Sequence, residues 1–276
     1  MIERYSIEMT AKDVEALEVA SSVIPQGTSV SVTYLPGEHL EARVGAAKRA
    51  KALGFTPMPH FSARRMRSEA ELLDFLGALR REVGIDKAFV VAGDPAEPQG
   101  PYKDALAVIR TGLLGEHGVK TVGISGYPEG HTDIAEDKLW AALNDKHTML
   151  KQLGHDVEII TQFGFDADPV LIWLEKVRAL GIDAPVKIGV PGPASVKTLL
   201  RFAAHCGVGA SAKVMSKYGL SITHLLNTAG PNRLLAEFAD RLDFSRHGQV
   251  VIHFYPFGGL VRTAQYANEY AQPVAA

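Results

Sequence analysis

Eight short apolar segments recur along the chain, and each one ends in a polar residue or a turn signal. The segments are Tyr5–Met9, Val30–Tyr34, Phe55–Phe61, Ala88–Ala92, Thr121–Ser125, Glu158–Phe163, Val186–Val190 and Val250–Tyr255. They are dominated by Val, Ile, Phe and Ala, which is typical of parallel strands that are buried on both faces. The pattern therefore predicts eight strands of a parallel sheet.

The chain between the predicted strands carries apolar residues at helical spacing. Leu72, Leu76 and Leu79 fall at positions i, i+4 and i+7, which lie on one face of a helix. The same helical spacing of apolar residues recurs in the two segments that begin at Leu106 and at Val170. Helices are therefore expected to separate the strands, as in repeated strand–helix units.

The number of strand–helix units indicates the fold class. Eight such units close a parallel barrel, and barrels of this type run to about 250 residues. The chain has 276 residues and no proline- or glycine-rich linker that would divide it. We therefore predict an α/β protein with a single (β/α)8 TIM-barrel domain over residues 1–276. A doubly wound open sheet is the alternative, although no predicted strand is followed by the phosphate-binding motif G-x-G-x-x-G.

The interval before the last predicted strand is the longest. It holds Ser195–Cys206, Ser211–Tyr218 and Asn232–Leu242, from which we predict one or two extra helices. Cys206 is the only cysteine, which excludes an internal disulfide and a multi-cysteine metal site. For this residue a core position on an amphipathic helix is favoured over a nucleophilic role beside His205.

The composition narrows the classes of partner. The formal net charge is −2, so there is no basic field that would attract nucleic acid or an anionic membrane. The first residues lack the basic and then apolar pattern of a signal peptide, and no apolar stretch approaches roughly 20 residues. We therefore expect a cytoplasmic protein without a nucleic-acid or membrane partner, and homo-oligomer formation is left open.

Polar residues gather at the predicted carboxyl ends of the strands, where barrels carry their active sites. They are Glu8, Thr33, His60, Asp94, Tyr127, Glu129, His131 and Gln162. Glu8 lies between Ile7 and Met9, so burial would raise its pKa and let it donate a proton near neutral pH. Asp94 follows Gly93, which lets a ligand approach the backbone closely. The alternatives are a structural salt bridge for Glu8 and a loop cap for Asp94.

The segment Tyr127–His131 combines an aromatic ring, a carboxylate and an imidazole within a short loop. Such a density of hydrogen-bonding groups favours a flat polar ligand, such as a ribose or a heteroaromatic ring. The amide of Gln162 suits the edge of a heterocycle, because it both donates and accepts hydrogen bonds. No third ligand accompanies Glu129 and His131 at a convincing spacing, so we predict no metal site.

Taken in order, these motifs resemble the methylenetetrahydrofolate reductase family. The motifs that carry the resemblance are Ser6-Ile7-Glu8, Ser31-Val32-Thr33-Tyr34, Pro59-His60-Phe61, Gly93-Asp94, Tyr127-Pro128-Glu129-Gly130-His131, Ile160-Thr161-Gln162-Phe163 and His253-Phe254-Tyr255. They run over nearly the whole chain and lie at or near the ends of predicted strands. The chain resembles the compact bacterial-type reductase, which has no regulatory domain.

The resemblance implies a flavin-dependent barrel that passes hydride from NADH or NADPH through FAD to 5,10-methylenetetrahydrofolate, with 5-methyltetrahydrofolate as the product. Glu8 would be the general acid that protonates N10 of the folate, and Asp94 would stabilise the iminium cation that results. The residues implied for substrate binding are Thr33, Gln162, Val196 and Phe254. The residues implied for FAD binding are His60, Gly93, Asp94, Tyr102, Tyr127, Glu129, His131, Asn144, His147 and Lys151.

Several departures from the family pattern concern the electron donor and the flavin diphosphate. Ala92 stands at a position that is commonly arginine, and Val196 stands at one where phenylalanine is expected. These changes favour an electron partner other than NADH, or a preferred direction from methyl- to methylene-folate. The alternatives are a flavin-free lyase or aldolase that uses Lys187, or Glu8 with Asp94, and a non-catalytic folate- or flavin-binding protein.

Overall fold

A closed barrel of eight parallel strands forms the centre of the computed structural model, which describes residues 4–208 and 228–271. The barrel strands are β1 (Ser6–Met9), β2 (Ser29–Val32), β3 (Thr56–Ser62), β4 (Lys87–Val91), β5 (Thr121–Gly126), β6 (Asp156–Phe163), β7 (Val186–Pro191) and β10 (Val250–Tyr255). Two short strands, β8 (Ala194–Ser195) and β9 (Thr228–Ala229), form a separate antiparallel pair. The predicted (β/α)8 barrel and its eight strands are confirmed.

The first and last barrel strands close the sheet. Strand β1 pairs with β2 on one side and with β10 on the other, so that Ser6 lies in register with both Ser29 and His253. Because all the pairs are parallel, the carboxyl ends of the strands meet at one rim. The closure therefore brings polar residues from both ends of the sequence together.

The helices surround this barrel. They are α1 (Val14–Ala20), α2 (Leu40–Ala52), α3 (Glu69–Glu82), α4 (Ala105–Arg110), α5 (Leu113–Glu116), α6 (Glu136–Gln152), α7 (Ala167–Ala179), α8 (Val196–Cys206), α9 (Asn232–Arg241), α10 (Phe244–His247) and α11 (Leu260–Ala271). Extra helices before the last strand are present as α8 and α9, whereas the predicted segment Ser211–Tyr218 lies outside the described residues. Over the parts of the chain that the structure describes, no helix is both long enough and apolar enough to cross a membrane.

Side chains alternate along each strand between the helix layer and the barrel interior. In β10, Phe254 points outward and packs against Tyr266 of α11, with ring centroids 6.3 Å apart. The preceding His253 points inward, where its Nδ1 lies 2.8 Å from the hydroxyl oxygen of Ser6. The outward positions form the apolar core between sheet and helices, and the inward positions carry the polar groups.

An ion-pair network closes the amino-terminal end of the barrel interior. Lys187 in β7 and Lys87 in β4 both donate hydrogen bonds to the carboxylate of Glu158 in β6, the latter at 3.0 Å. Lys187 and Glu158 are each only 6% exposed, and Ser29 accepts a further hydrogen bond from Lys187 at 3.3 Å. The imine-forming role considered for Lys187 is thus corrected, because its amine is held by Glu158 at the end of the barrel remote from the rim.

Candidate active site

A cavity of about 290 Å³ opens at the carboxyl end of the barrel, and we call it the mouth cavity. Barrel strands, the loops that follow them and helix α8 form its walls. The lining residues are Glu8, His60, Phe89, Val91, Ser125, Tyr127, Ile160, Gln162, Phe163, Phe202, His205, Cys206, Tyr255 and Phe257. Half of the polar residues predicted at the rim therefore meet in one cavity, namely Glu8, His60, Tyr127 and Gln162.

Glu8 enters the mouth cavity from the end of β1, and its side chain is 20% exposed. Its Oε2 atom lies 4.0 Å from Nε2 of His60 and 3.8 Å from Nε2 of His253. Burial raises the pKa of Glu8 above its ordinary value, and the charge interaction with His60 opposes this rise only in part. The expected rise in the pKa of Glu8 is confirmed, and it favours the protonated form of this carboxyl group.

The two imidazoles beside Glu8 are neutral. Burial lowers the pKa of His60 to about 4 and the pKa of His253 to about 3. Neither ring is charged near neutral pH, so the structural salt bridge considered for Glu8 does not form with them. Thr33, which follows β2, does not line the mouth cavity itself; its hydroxyl oxygen lies 3.0 Å from Nδ1 of His60 and holds that ring.

Asp94 follows β4 at the same end of the barrel as Glu8, but it lies on the rim outside the mouth cavity. Its side chain is 71% exposed, and Nε of Arg65 donates a hydrogen bond to it at 2.8 Å. Partial burial raises the pKa of Asp94, but the hydrogen bonds and charge of Arg65 outweigh this effect, and the net pKa is lowered.

The preceding Gly93 has φ +90, and a Cβ there would lie 2.2 Å from Oγ of Ser62. The position therefore requires glycine.

Gln162 reaches the mouth cavity at a point where β6 departs from regular pairing. The register between β6 and β7 shifts between Ile160 and Phe163, and the N–H of Gly189 donates to Oγ1 of Thr161 at 2.8 Å. The side-chain oxygen of Gln162 accepts a hydrogen bond from the N–H of Phe163 at 3.1 Å, which orients the amide. An irregularity of this kind re-aims a side chain towards a site.

Replacement of Gly189 is expected to disturb this arrangement. A Cβ at position 189 would lie 2.5 Å from the carbonyl oxygen of Thr161 and 2.8 Å from that of Gln162. Because backbone atoms cannot yield as a flexible side chain does, Gly189→Ala should lower the free energy of unfolding by about 1–3 kcal/mol, as overpacking does. Denaturant titration of the purified variant measures this loss.

Gly45→Ala is the matched control for that substitution. Position 45 lies within α2, and nothing would come within 4 Å of the added Cβ. Alanine there should stabilise the helix by about 0.5–1 kcal/mol, since glycine is unfavourable within a helix. Equal stability of the two variants would contradict the role given to Gly189.

A second cavity, of about 680 Å³, lies outside the mouth and between α6 and α7. The loop that follows β5 lines it with Tyr127, Glu129 and His131. Trp140 and Trp173 also line it, and their stacked rings have centroids 5.9 Å apart. Tyr127 lines both cavities, so the polar loop predicted from the sequence forms the wall between them.

The residues predicted on α6 do not reach the mouth cavity. His147 and Lys151 line a different cavity, of about 330 Å³, together with Lys87 and Thr121, the first residues of β4 and β5. These positions lie at the amino-terminal end of the barrel, because its strands are parallel. Asn144 is exposed on the same helix. The predicted contact of His147 and Lys151 with a flavin diphosphate at the rim is therefore corrected.

Two residues predicted to contact the substrate lie in the core instead. Val196 at the start of α8 is 3% exposed, and Phe254 is fully buried against the helix layer. Their neighbours reach the mouth cavity: Tyr255 follows in β10, and Phe202 lies nearly two turns further along α8. The period-two alternation of the last strand is the sequence signal that indicates Tyr255, whereas the sequence of α8 does not indicate Phe202.

Helix α8 also brings Cys206 to the mouth cavity, where the half-buried thiol packs against the hydrophobic core, in agreement with the position predicted for it. Cys206 and His205 line the cavity beside Phe202, whose ring stacks on that of Phe257 with centroids 4.0 Å apart. Burial raises the pKa of the Cys206 thiol, and the nearby Glu8 raises it further. The thiol therefore stays protonated near neutral pH, which argues against a nucleophilic role.

Tyr102 lies just before α4, and it is only 5% exposed. Its hydroxyl has no hydrogen-bond partner within residues 4–208 and 228–271. A buried hydroxyl without a partner is a feature expected of a ligand contact.

In the same described ranges, no group of three or more His, Cys, Asp or Glu side chains is arranged to hold a metal ion.

Comparison with known proteins finds related sequences. The sequence profile described as methylenetetrahydrofolate reductase matches residues 7–227. Methylenetetrahydrofolate reductase 1 of Schizosaccharomyces pombe is 31% identical over 150 residues, which cover 50% of this chain and 23% of that protein. The 5,10-methylenetetrahydrofolate reductase of Pectobacterium carotovorum subsp. carotovorum is 26% identical over 188 residues, which cover 68% of this chain and 61% of that protein. The chain thus spans less than two thirds of the length of these relatives.

One solved structure has a similar fold. The crystal structure of dihydropteroate synthase (FolP) from Thermus thermophilus matches 98% of this chain and 94% of its own, with a TM-score of 0.51. The two sequences are 13% identical in this match, so the likeness shows the barrel fold alone.

Proposed function

The chain belongs to the methylenetetrahydrofolate reductase family, and from this premise we propose that it interconverts 5,10-methylenetetrahydrofolate and 5-methyltetrahydrofolate with FAD as its cofactor. The observation that carries the proposal is the carboxyl group of Glu8, a partly buried acid with a raised pKa in the mouth cavity. Opening the five-membered ring of methylene-folate requires a proton on nitrogen. A carboxyl group whose pKa is raised by burial is suited to supply that proton.

The mouth cavity suits a flat ring system. Its volume of about 290 Å³ is close to the lower end of the range for small-molecule sites, about 300–1,000 Å³, and several of its walls are aromatic. Nε2 of His60 lines this cavity beside Glu8, and it has no hydrogen-bond partner in the described residues. The residues that we propose for FAD are His60, Gly93, Asp94, Tyr102, Tyr127, Glu129 and His131. When bound, FAD supplies the hydride transfer that side chains cannot perform.

The side chains of the protein handle the proton and the charge. Glu8 donates its proton to N10 of the folate, and the electron pair of the broken O–H bond stays on the carboxylate. Gln162, whose amide is oriented by the N–H of Phe163, hydrogen-bonds the pterin ring. Asp94 contributes a negative charge at the rim, which is the right sign to stabilise the cation that develops on the folate.

Asp94→Asn is expected to slow the reaction of the enzyme with folate, because a neutral amide no longer attracts the developing cation. The loss should lie between several-fold and about 10³-fold. Anaerobic stopped-flow measurement of the folate half-reaction gives the rate. Asp74→Asn, which changes an exposed acid on α3, is the control and should react as the unmodified protein does. An unchanged rate in Asp94→Asn would contradict this role and would show that Asp94 serves only as a structural partner of Arg65.

Binding of FAD is the first test of the proposed function. Full-length protein, purified or reconstituted with FAD, should be yellow and should retain the flavin through gel filtration. A protein that stays colourless after reconstitution would contradict the proposal.

The electron donor forms part of the proposal. Val196 is buried and leaves no aromatic ring at the start of α8, so we propose a donor other than NADH, or a preferred direction from methyl- to methylene-folate. FAD-loaded protein is mixed anaerobically with NADH and with NADPH in separate experiments, and the yellow absorbance is followed. We expect NADH to reduce the flavin slowly or not at all. Loss of the yellow flavin absorbance with NADH as fast as the enzyme turns over would contradict this part of the proposal.

A further inference from the structure

Two buried histidines converge on the carboxylate of Glu8 from different strands. His60 in β3 is 7% exposed and His253 in β10 is fully buried. Their Nε2 atoms lie 4.0 Å and 3.8 Å from Oε2 of Glu8. Both Nε2 atoms are buried and lack a hydrogen-bond partner within the described residues. Buried polar atoms without partners are rare, so two of them aimed at one carboxylate require an explanation.

Hydroxyl groups fix the other side of each ring. The hydroxyl oxygen of Ser6 lies 2.8 Å from Nδ1 of His253, and that of Thr33 lies 3.0 Å from Nδ1 of His60. A neutral imidazole has one N–H and one acceptor nitrogen. If the hydroxyl donates to Nδ1, the ring hydrogen sits on Nε2 and points at Glu8. Once Glu8 has lost its proton, this tautomer gives both nitrogens of each ring a hydrogen-bond partner, because an ionised carboxylate can only accept.

Two other titratable groups that face Glu8, the hydroxyl of Tyr255 and the thiol of Cys206, keep their protons near neutral pH. Burial raises the pKa of Tyr255 in β10 well above its ordinary value, and burial raises the pKa of Cys206 in α8. Asp13, which follows β1, interacts with Glu8 by charge, and its carboxylate accepts hydrogen bonds from the N–H and hydroxyl of Thr10 at 2.8 and 2.7 Å. The histidines are therefore the hydrogen-bond donors best placed to respond to a change of charge on Glu8.

We propose that His253 is a positioning residue that donates a hydrogen bond from Nε2 to the carboxylate of Glu8 as Glu8 gives up its proton. The inference rests on the proposed function, in which that proton goes to N10 of the folate. The O–H bond of Glu8 breaks, an N–H bond forms on the folate, and the electron pair stays on the carboxylate. His253 keeps its own proton throughout and forms only a hydrogen bond.

The separation of 3.8 Å is longer than a hydrogen bond in the free protein. Catalytic hydrogen bonds are often long before the ligand is bound and tighten only in the complex. A donor placed in advance stabilises the new carboxylate at the moment it forms, without reorganisation of solvent. His253 thereby favours release of the proton, whereas burial alone would retain it.

The test is a pH titration of the Glu8 carboxyl group in the full-length, FAD-loaded protein. Infrared difference spectroscopy detects the C=O stretch of a protonated carboxylic acid, and loss of the band in Glu8→Gln assigns it. His253→Leu removes the donor and should raise the pKa of Glu8 by about one pH unit or more. His253→Gln, which keeps an amide N–H, should give an intermediate pKa. The pH profile of the folate half-reaction should move upward with the titration.

His247→Gln is the matched control, because His247 is also buried at 2% exposure but lies in α10 beside Glu175. That variant should leave the Glu8 titration unchanged. If His253→Leu does not fold, Ser6→Ala takes its place, since it removes the hydroxyl that orients the ring and should shift the pKa in the same direction. An unchanged or lowered pKa of Glu8 in the folded variant overturns the inference. The titration needs no folate, so it remains informative even if the protein fails to react with folate and the proposed function is wrong.

Discussion

Glu8→Gln should bind FAD normally and yet lose the reaction with folate. Glutamine keeps the size of the side chain and can still form hydrogen bonds in the mouth cavity, but it cannot donate the proton that opens the folate ring. Removal of a general acid costs roughly 10²–10⁴-fold in rate. Stopped-flow absorbance under anaerobic conditions, with 5-methyltetrahydrofolate in one direction and 5,10-methylenetetrahydrofolate in the other, measures both half-reactions.

The control for this substitution is Glu15→Gln, which removes an exposed carboxylate from α1, the helix that follows β1. It should react at the rate of the unmodified protein. Flavin content and the flavin spectrum should be the same in both variants. A rate for Glu8→Gln within a few-fold of the control would show that another group supplies the proton.

The largest loss of stability is expected from Glu158→Gln at the amino-terminal end of the barrel. Glu158 holds two lysines, and removal of its charge leaves Lys187 and Lys87 without their partner in the barrel interior. Breaking a buried ion pair by removing one member costs about 3–5 kcal/mol, because the remaining charge is not compensated. Chemical denaturation near neutral pH should show this decrease in the free energy of unfolding.

The same network gives a pH dependence with a definite sign. Burial raises the pKa of Glu158, but the charges of Lys187 and Lys87 and their hydrogen bonds outweigh it, so the net pKa lies below 4.5. A lowered pKa contributes stability above the unfolded value, and this contribution is lost as the pH falls through the folded value. The difference in stability between the unmodified protein and Glu158→Gln should therefore shrink on acidification below about pH 4.5.

Glu82→Gln serves as the control for the ion-pair network. Glu82 pairs with Lys48 at 3.5 Å on the surface, where its side chain is 45% exposed. Exposed pairs contribute little, so this variant should be about as stable as the unmodified protein. Equal stability of the Glu82 and Glu158 variants would contradict the structural role of the buried network.

The residues at the ends of strands could be predicted from the sequence. Parallel strands in a barrel share one rim, so a polar residue directly after an apolar segment has a known position. Glu8, His60 and Gln162 were placed by this rule, and they line one cavity. The resemblance to a family added roles for them. The rule places a residue at the rim but does not show whether it enters the cavity, as Thr33 and Asp94 demonstrate.

Residues placed along helices could not be located so well. Helix α6 begins at the carboxyl end of β5, and each residue adds about 1.5 Å of rise. Lys151 is therefore about 22 Å from the start of the helix, at the other end of the barrel. The motif that resembles the family predicts His147 and Lys151 at the flavin site, whereas the rise of the helix places them at the opposite end of the barrel.

The position of a residue within a strand can be predicted only if it is known which alternate side chains face the barrel interior and which face the helices. Phe254 belongs to a recognisable motif, but it points outward, while His253 and Tyr255 point inward. The motifs include Ser6 and His253, but apolar residues dominate the strands on both faces, so the sequence does not show that these two side chains point inward. The side of α8 that carries Phe202 and Cys206 could not be assigned either, because nothing in the sequence shows which face of that helix covers the barrel.

Anaerobic mixing of the FAD-loaded protein with 5-methyltetrahydrofolate is the most direct test of the proton-donating mouth cavity. The yellow absorbance should disappear as 5,10-methylenetetrahydrofolate forms, and the same mixture with Glu8→Gln should stay yellow. A flavin that remains oxidised in the unmodified protein, or one that is bleached equally fast in Glu8→Gln, would contradict the proposed reaction.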